Sequence, residues 1–368
     1  MGQTVQPEIL FLSQGQVQEA GALDMGDCIR KMESVFKLYN QNKTVLGECG
    51  QDLHGHMTTF PSSLSDPECD RLRAGSRFGA MPAYVGGGID IVGVKWYGSV
   101  TPRAEENNAP WSSPLLVLSD PDSGQILAIM DGEIISSMRT GAMAALGAKH
   151  TNRDPSVVTV LGPGAIGQTS ALALDTLFSS LDQLRIYHPN IQKSNIFKDR
   201  MSEQIQVNIH EYDDLEDAVR DSDIVVAAAS RNPVLEINTS WLASNSTVIQ
   251  LGDLQIDLHN YKPDHVICDI RRHPIQFHRQ VGWKFTESFV NLFGGELNNE
   301  LAHVGALHEV VNGKTQPPTS GKTIFSSLGL PIEDIAWGAH VYENAISSGL
   351  GQPLSMSDGP YFKKPMVN

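Results

Sequence analysis

Val157-Val158-Thr159-Val160-Leu161-Gly162-Pro163-Gly164-Ala165-Ile166-Gly167-Gln168 is the stretch that decides the fold of this chain. A β-branched run enters a Gly-x-Gly-x-x-Gly turn, and Thr169 to Leu174 continues it with helical composition. Strand, glycine turn and helix in that order form the phosphate-binding unit of a dinucleotide fold. Gly162 permits the tight turn, Gly164 lets a pyrophosphate approach the backbone, and Gly167 lets helix and strand pack closely. Ala165 and Ile166 open the helix, whose unpaired N–H groups face the phosphates. These five positions are the first cofactor-binding candidates.

Downstream, Leu184 to Tyr187, Ile224 to Ala229, Val248 to Leu251 and His265 to Asp269 read as short strands, with a helical piece at Leu215 to Arg220. Such alternation predicts an α/β fold with a doubly wound parallel sheet of Rossmann type. Upstream, Asp90 to Tyr97, Pro114 to Leu118 and Gln125 to Met130 read as strands of a different, antiparallel-looking sheet. Ile134 to His150 has helical spacing and leads into the cofactor region, and helical periodicity returns at Ile332 to Ser347. The expected organisation is an outer α+β domain for substrate binding and dimerisation in two parts, 1–134 and 326–368. The dinucleotide-binding domain, 135–325, lies between them.

A chain of 368 residues, 40% hydrophobic and 19% charged, suffices for two cores. Its net charge of −15 opposes binding to a phosphate backbone, so the expected partner is a small molecule and not nucleic acid. Four cysteines without metal-ligand spacing predict no metal site and fit a reducing cytoplasm. No apolar run reaches the roughly 18 residues of a membrane helix, and no signal peptide is evident.

Several side chains outside the glycine turn have chemical potential. Lys95 lies in an apolar strand, where a lysine must pair or lose its charge. Arg139, on the helix entering the cofactor region, has the planar fork that grips carboxylates. Asp253 and Ser230 each follow a strand at the sheet edge where ligands bind in parallel α/β folds. The second strand of the nucleotide unit ends in Tyr187-His188-Pro189-Asn190, with no acid to hold a ribose 2′-hydroxyl. His188, Asn190 and Lys193 are therefore candidates for holding a 2′-phosphate, and of NAD and NADP the pattern points to NADP.

Met81-Pro82-Ala83-Tyr84, Gly93-Val94-Lys95-Trp96, Ile135 to Ala142, Leu161 to Gly167, Ala229-Ser230, Leu251-Gly252-Asp253 and Ser327 to Asp334 together resemble the ornithine cyclodeaminase and mu-crystallin family. The resemblance implies a homodimer binding NAD(H) or NADP(H), with Lys95 and Arg139 on the substrate carboxylate. It also implies Thr140 near the cofactor phosphates and Asp253 at the substrate amine. Two departures stand out. Leu254-Gln255-Ile256-Asp257-Leu258 replaces the Pro-Gly-Lys-x-Glu-Leu pattern that follows this aspartate in cyclodeaminases, and the usual outer-strand arginine has no clear match, leaving His54 or Arg77 as substitutes. The Lys95 to Ser99 segment is more similar to the branch that oxidises N-(2-amino-2-carboxyethyl)glutamate. The expected function is hydride transfer at the C–N bond of an amino acid, N-substituted amino acid or imine. The alternatives are an ornithine or lysine cyclodeaminase, with Asp253 and Asp257 orienting the second amine, and an NADP-dependent hormone-binding protein.

Overall fold

The computed structural model describes residues 8–46, 53–59, 76–99, 112–151, 154–229, 234–294 and 304–356. Two large sheets organise them. The first contains β1 (Glu8–Leu12), β2 (Thr44–Val45), β3 (His56–Thr59), β4 (Arg77–Val85), β5 (Ile91–Ser99), β6 (Ser112–Ser119) and β7 (Ile126–Asp131), closed by β18 (Gln352–Ser355) near the end of the chain. Its order is β18-β1-β7-β6-β5-β4-β2, with β3 paired to β4. Pairing is antiparallel except between β1 and β7, so this sheet is mixed and not purely antiparallel.

The second sheet is parallel. It contains β8 (Val157–Leu161), β9 (Gln183–Tyr187), β10 (Asn208–Tyr212), β11 (Ile224–Ala227), β13 (Thr247–Gln250), β15 (His265–Cys268), β16 (Val304–Ala306) and β17 (Thr323–Ser326). A minor pair, β12 (Glu236–Ile237) and β14 (Gln255–Ile256), lies apart. The order β10-β9-β8-β11-β13-β17-β15-β16 places the switch point between β8 and β11. There the chain leaves neighbouring strands in opposite directions and opens a crevice at their carboxyl ends. β11, β13 and β17 are buried at every position, as strands covered on both faces must be.

The seven helices used below are α1 (Met25–Asn40), α2 (Glu133–Lys149), α3 (Ala165–Leu177), α4 (Ile191–Met201), α5 (His273–Gln280), α6 (Lys284–Phe293) and α7 (Pro331–Ser348). α2 is the hub. A Cβ on its Gly141 would fall 2.4 Å from the Thr169 carbonyl carbon on α3, and one on Gly147 would fall 2.3 Å from the Phe325 ring on β17. Bare glycine surfaces thus let α2 sink against both the glycine-turn helix and the parallel sheet, with Met138, Ala142 and Leu146 in the shared core. α7 begins with Pro331 at its first turn, where a missing N–H costs nothing, and carries Glu333 and Asp334 beside the positive end of the helix dipole.

Candidate active site

On β5 the inward face carries Ile91, Gly93, Lys95, Tyr97 and Ser99, alternating with the outward Val92, Val94 and Trp96. Because β5 lies between β4 and β6, Lys95 has no edge from which to reach water, and it is 5% exposed. Its Nζ donates to Asp334 Oδ2 at 2.8 Å and to Ser136 Oγ at 3.2 Å. Arg139, on the buried face of α2, donates from Nε to Asp334 Oδ1 at 3.1 Å and from Nη1 to Glu333 Oε2 at 2.7 Å. Two cations and two carboxylates thus form one buried cluster, and the acids that position Lys95 and Arg139 come from the first turn of α7.

Burial works against every charge in the cluster. It pulls the Lys95 ammonium down to about 8, helped by the neighbouring Arg139 charge and opposed by Asp334. It pushes the Glu333 carboxyl up to about 8 despite Arg139. For Asp334 burial acts upward too, but Arg139 and Lys95 outweigh it and hold the carboxyl below the usual carboxylate range. Glu333 Oε1 is buried without a hydrogen-bond partner among the described residues.

A second cluster adjoins the first. His54 Nδ1 lies 2.9 Å from the Gly329 carbonyl oxygen, so Nδ1 carries the proton and Nε2 accepts from the Tyr97 hydroxyl at 3.3 Å. Burial, with the nearby His273 and Lys95, holds the His54 pKa well below the ordinary value. His54 is thus a neutral ring and not a cation standing in for an arginine. Asp269, just past β15, accepts from the Leu328 N–H at 2.9 Å and holds His273 Nδ1 at 2.9 Å. Gly329, at φ +85°, brings its backbone against the Arg139 guanidinium; a Cβ there would lie 2.7 Å from Nη1. Asp269 and His273 escaped the sequence reading, although an aspartate ending a parallel strand is the same signal that marked Asp253.

Asp253 follows β13 at the carboxyl edge of the sheet and is 9% exposed. Its Oδ1 accepts from the Leu254 and Phe285 N–H groups at 2.9 and 3.2 Å, which ties it to the first turn of α6. Oδ2 accepts no hydrogen bond among the described residues. Asp257, by contrast, is an exposed helix cap that accepts from the Asn260 N–H at 3.1 Å and from its side-chain amide. It is committed to its own turn and does not join Asp253.

At the switch point a groove of about 630 Å³ runs from the glycine turn to α4. Gly162, Gly164, Ala165 and Ile166 line it, as do His188 and Lys193. The turn fits a pyrophosphate: Gly162 adopts φ +113°, a Cβ on Gly167 would fall 1.9 Å from the Gly162 oxygen, and one on Gly164 would meet nothing within 4 Å, leaving the cradle open. Ser136, Gln168 and Arg200 also line the groove and were not anticipated. Asn190 instead caps α4, accepting from the Gln192 N–H at 3.0 Å. The Thr140 hydroxyl donates back to the Ser136 carbonyl at 2.7 Å, and Thr140 is not among the groove-lining residues. Ser230 lies outside the described residues.

The model of the ornithine cyclodeaminase/mu-crystallin family matches residues 32–349. The N-((2S)-2-amino-2-carboxyethyl)-L-glutamate dehydrogenase of Staphylococcus aureus is 23% identical over 355 residues, covering 95% of this chain and 99% of that protein. Two solved structures share the fold. One is the Δ(1)-pyrroline-2-carboxylate reductase of Thermococcus litoralis with NADH and L-proline, with TM-score 0.78, 20% identity and coverage of 94% and 100% of the two chains. The other is an archaeal alanine dehydrogenase dimer with bound NAD, with TM-score 0.76, 23% identity and coverage of 95% and 100%.

Proposed function

This chain belongs to the ornithine cyclodeaminase/mu-crystallin family, and from that premise we propose that it is an NAD(P)-dependent oxidoreductase acting on the C–N bond of an amino acid, an N-substituted amino acid or the corresponding imine. One observation carries the reading: Ser136 lines the dinucleotide groove and also accepts from Lys95 Nζ. The buried cation cluster and the cofactor groove therefore meet at a single side chain.

A nicotinamide cofactor, when bound, supplies the redox partner for the substrate's α-carbon. The chain's own residues do the rest. Arg139 keeps Nη2 free of the bonds to Glu333 and Asp334, and Lys95 has a third N–H, so both can grip the substrate carboxylate. Asp253, with Oδ2 unengaged, takes the amine proton during oxidation and returns it during reduction. A fixed carboxylate there also stabilises the positive charge that grows on nitrogen as an iminium forms.

We also read 135–325 as the dinucleotide-binding domain. The outward face of the first sheet is read as the contact of a homodimer, because Trp96 and Leu115, opposite each other on β5 and β6, are 48% and 36% exposed. Lys193 and Arg200 favour NADP, because both line the groove and no acid ends β9. The free, buried Cys28 and Cys268 fit a reducing cytoplasm. No helix among the described residues is long and apolar enough to cross a membrane.

The test is absorbance of the reduced nicotinamide across amino acids, opine-like secondary amines and cyclic imines. Stoichiometric change with at least one class is expected. Ammonia and a cyclic amino acid formed from ornithine or lysine, with catalytic cofactor and no net redox, would replace this reading with cyclodeamination. Tight binding of thyroid hormone without turnover on any substrate would replace it with a binding protein.

A further inference from the structure

We propose that the site selects substrates with a second carboxylate, and that Arg77 reads it. This rests on the assignment of the α-carboxylate to Lys95 and Arg139 and adds the chemistry of the other end.

In the β4–β5 register, Met81 faces Lys95, Gly79 faces Tyr97 and Arg77 faces Ser99. Paired residues project to the same side, so Lys95, Tyr97 and Arg77 stand in a row on the inward face. Gly79 has no side chain, and the Tyr97 ring lies over it; a Cβ there would be 2.4 Å from the ring. Lys95 Nζ is 5.8 Å from the Tyr97 ring centroid, and His54 closes the middle through its contact with the Tyr97 hydroxyl. The Arg77 charge is felt at both His54 and Tyr97, in keeping with its place on the same side of the sheet.

Arg77 differs from the other inward-facing cations in one respect. Lys95 and Arg139 are each held by carboxylates, whereas half-buried Arg77 has no ion pair or hydrogen bond among the described residues. A half-buried guanidinium that no acid of the described residues pairs can take a carboxylate in fork geometry. Lys95 and the residue opposite Arg77 are four residues apart on β5, about 13 Å at the rise of an extended strand. Cations rooted that far apart on one face suit a substrate with two separate carboxylates. Alanine and proline lack the second, whereas an amino acid with an acidic side chain or a carboxyalkyl group on nitrogen has it. Between the two ends, neutral His54 and Tyr97 offer no charge to compete with either carboxylate.

The test measures calorimetric binding to the cofactor-loaded protein for isosteric pairs: L-glutamate against L-glutamine, and N-(2-carboxyethyl)-L-alanine against N-(2-carbamoylethyl)-L-alanine. The acid should bind at least about tenfold more tightly than its neutral isostere, the size of one charge-assisted contact. Arg77→Met should bring the ratio close to one, Arg77→Lys should keep most of it, and Arg77→Glu should shift preference toward L-ornithine. A ratio near one in the unaltered protein, or a ratio that survives Arg77→Met, overturns the proposal. Turnover followed in parallel separates the two readings. Charge-selective binding without redox on any substrate sinks the oxidoreductase assignment alone, and redox without charge selection sinks the dicarboxylate assignment alone.

Discussion

At the scale of single residues, Arg139 holds the buried cluster together and, in the proposed function, also binds substrate. Arg139→Ala removes the proposed grip on the substrate carboxylate and also strands Asp334 without its main counter-charge and Glu333 without its hydrogen-bond donor, both 0% exposed. Breaking one side of a buried ion cluster costs about 3–5 kcal/mol, so a clear loss of melting temperature is expected together with a fall in kcat/KM of more than about 30-fold. Cofactor affinity, titrated by nicotinamide fluorescence, should change much less, because the proposed pyrophosphate cradle is the Gly162 to Gly167 turn. A collapse of cofactor affinity with near-normal kcat/KM would move Arg139 to the phosphates. Lys95 supports a pH prediction. Its ammonium is present below about 8 and lost above, and the Glu333 carboxyl, also near 8, gains negative charge over the same interval. Both changes weaken carboxylate binding as pH rises, so kcat/KM, which reports the free enzyme, should fall on the alkaline side from about pH 8. Lys95→Arg should move that limb upward; a limb unmoved by the substitution would assign it to another group.

At the scale of elements, the turn between β8 and α3 separates two uses of glycine. Gly167→Ala drives a Cβ into the Gly162 carbonyl and pushes the helix off its strand, so both stability and cofactor affinity should fall, stability by about 1–3 kcal/mol. Gly164 has φ −70° and ψ −173°, which alanine adopts without strain, and empty space around its Cβ direction. Gly164→Ala should therefore melt within a few degrees of the unaltered protein yet bind cofactor at least about tenfold more weakly, about 1.4 kcal/mol. Equal binding by both would show that the pyrophosphate does not rest on this turn. On α4, Arg200→Ala should weaken NADPH at least about tenfold and NADH hardly at all, the mark of a lost phosphate contact. A parallel loss for both cofactors would place Arg200 elsewhere. Helical spacing exposed α2 and α7 because each runs long, 17 and 18 residues, and is rich in apolar side chains. It missed α5 and α6, whose loop-flanked sequences His273–Gln280 and Lys284–Phe293 mix aromatic and polar residues over fewer than three turns.

At the scale of the whole molecule, the apolar outward face of the first sheet predicts association. Trp96, stacked with Phe78 at 6.3 Å between centroids and flanked by Leu115, forms a patch that a charge would spoil. Trp96→Glu with Leu115→Glu should give a monomer by light scattering that still binds cofactor. A variant that stays dimeric would place the interface elsewhere.

The sequence by itself determined the parallel sheet, the glycine turn and the chemical types of the candidate site residues. Those depend on local rules: alternation sets strands, a Gly-x-Gly-x-x-Gly turn leaves few backbone options, and a lysine in an apolar strand demands a partner. Tertiary structure alone decided what that partner is. Lys95 finds Asp334 across 239 positions, and Arg139 finds Glu333 across 194, because α7 returns to the first sheet after the whole parallel sheet has been built. It also decided that His54 is neutral and that Asn190 and Asp257 cap helices. Burial and hydrogen-bond geometry set these roles, and both depend on neighbours that spacing along the chain cannot reveal.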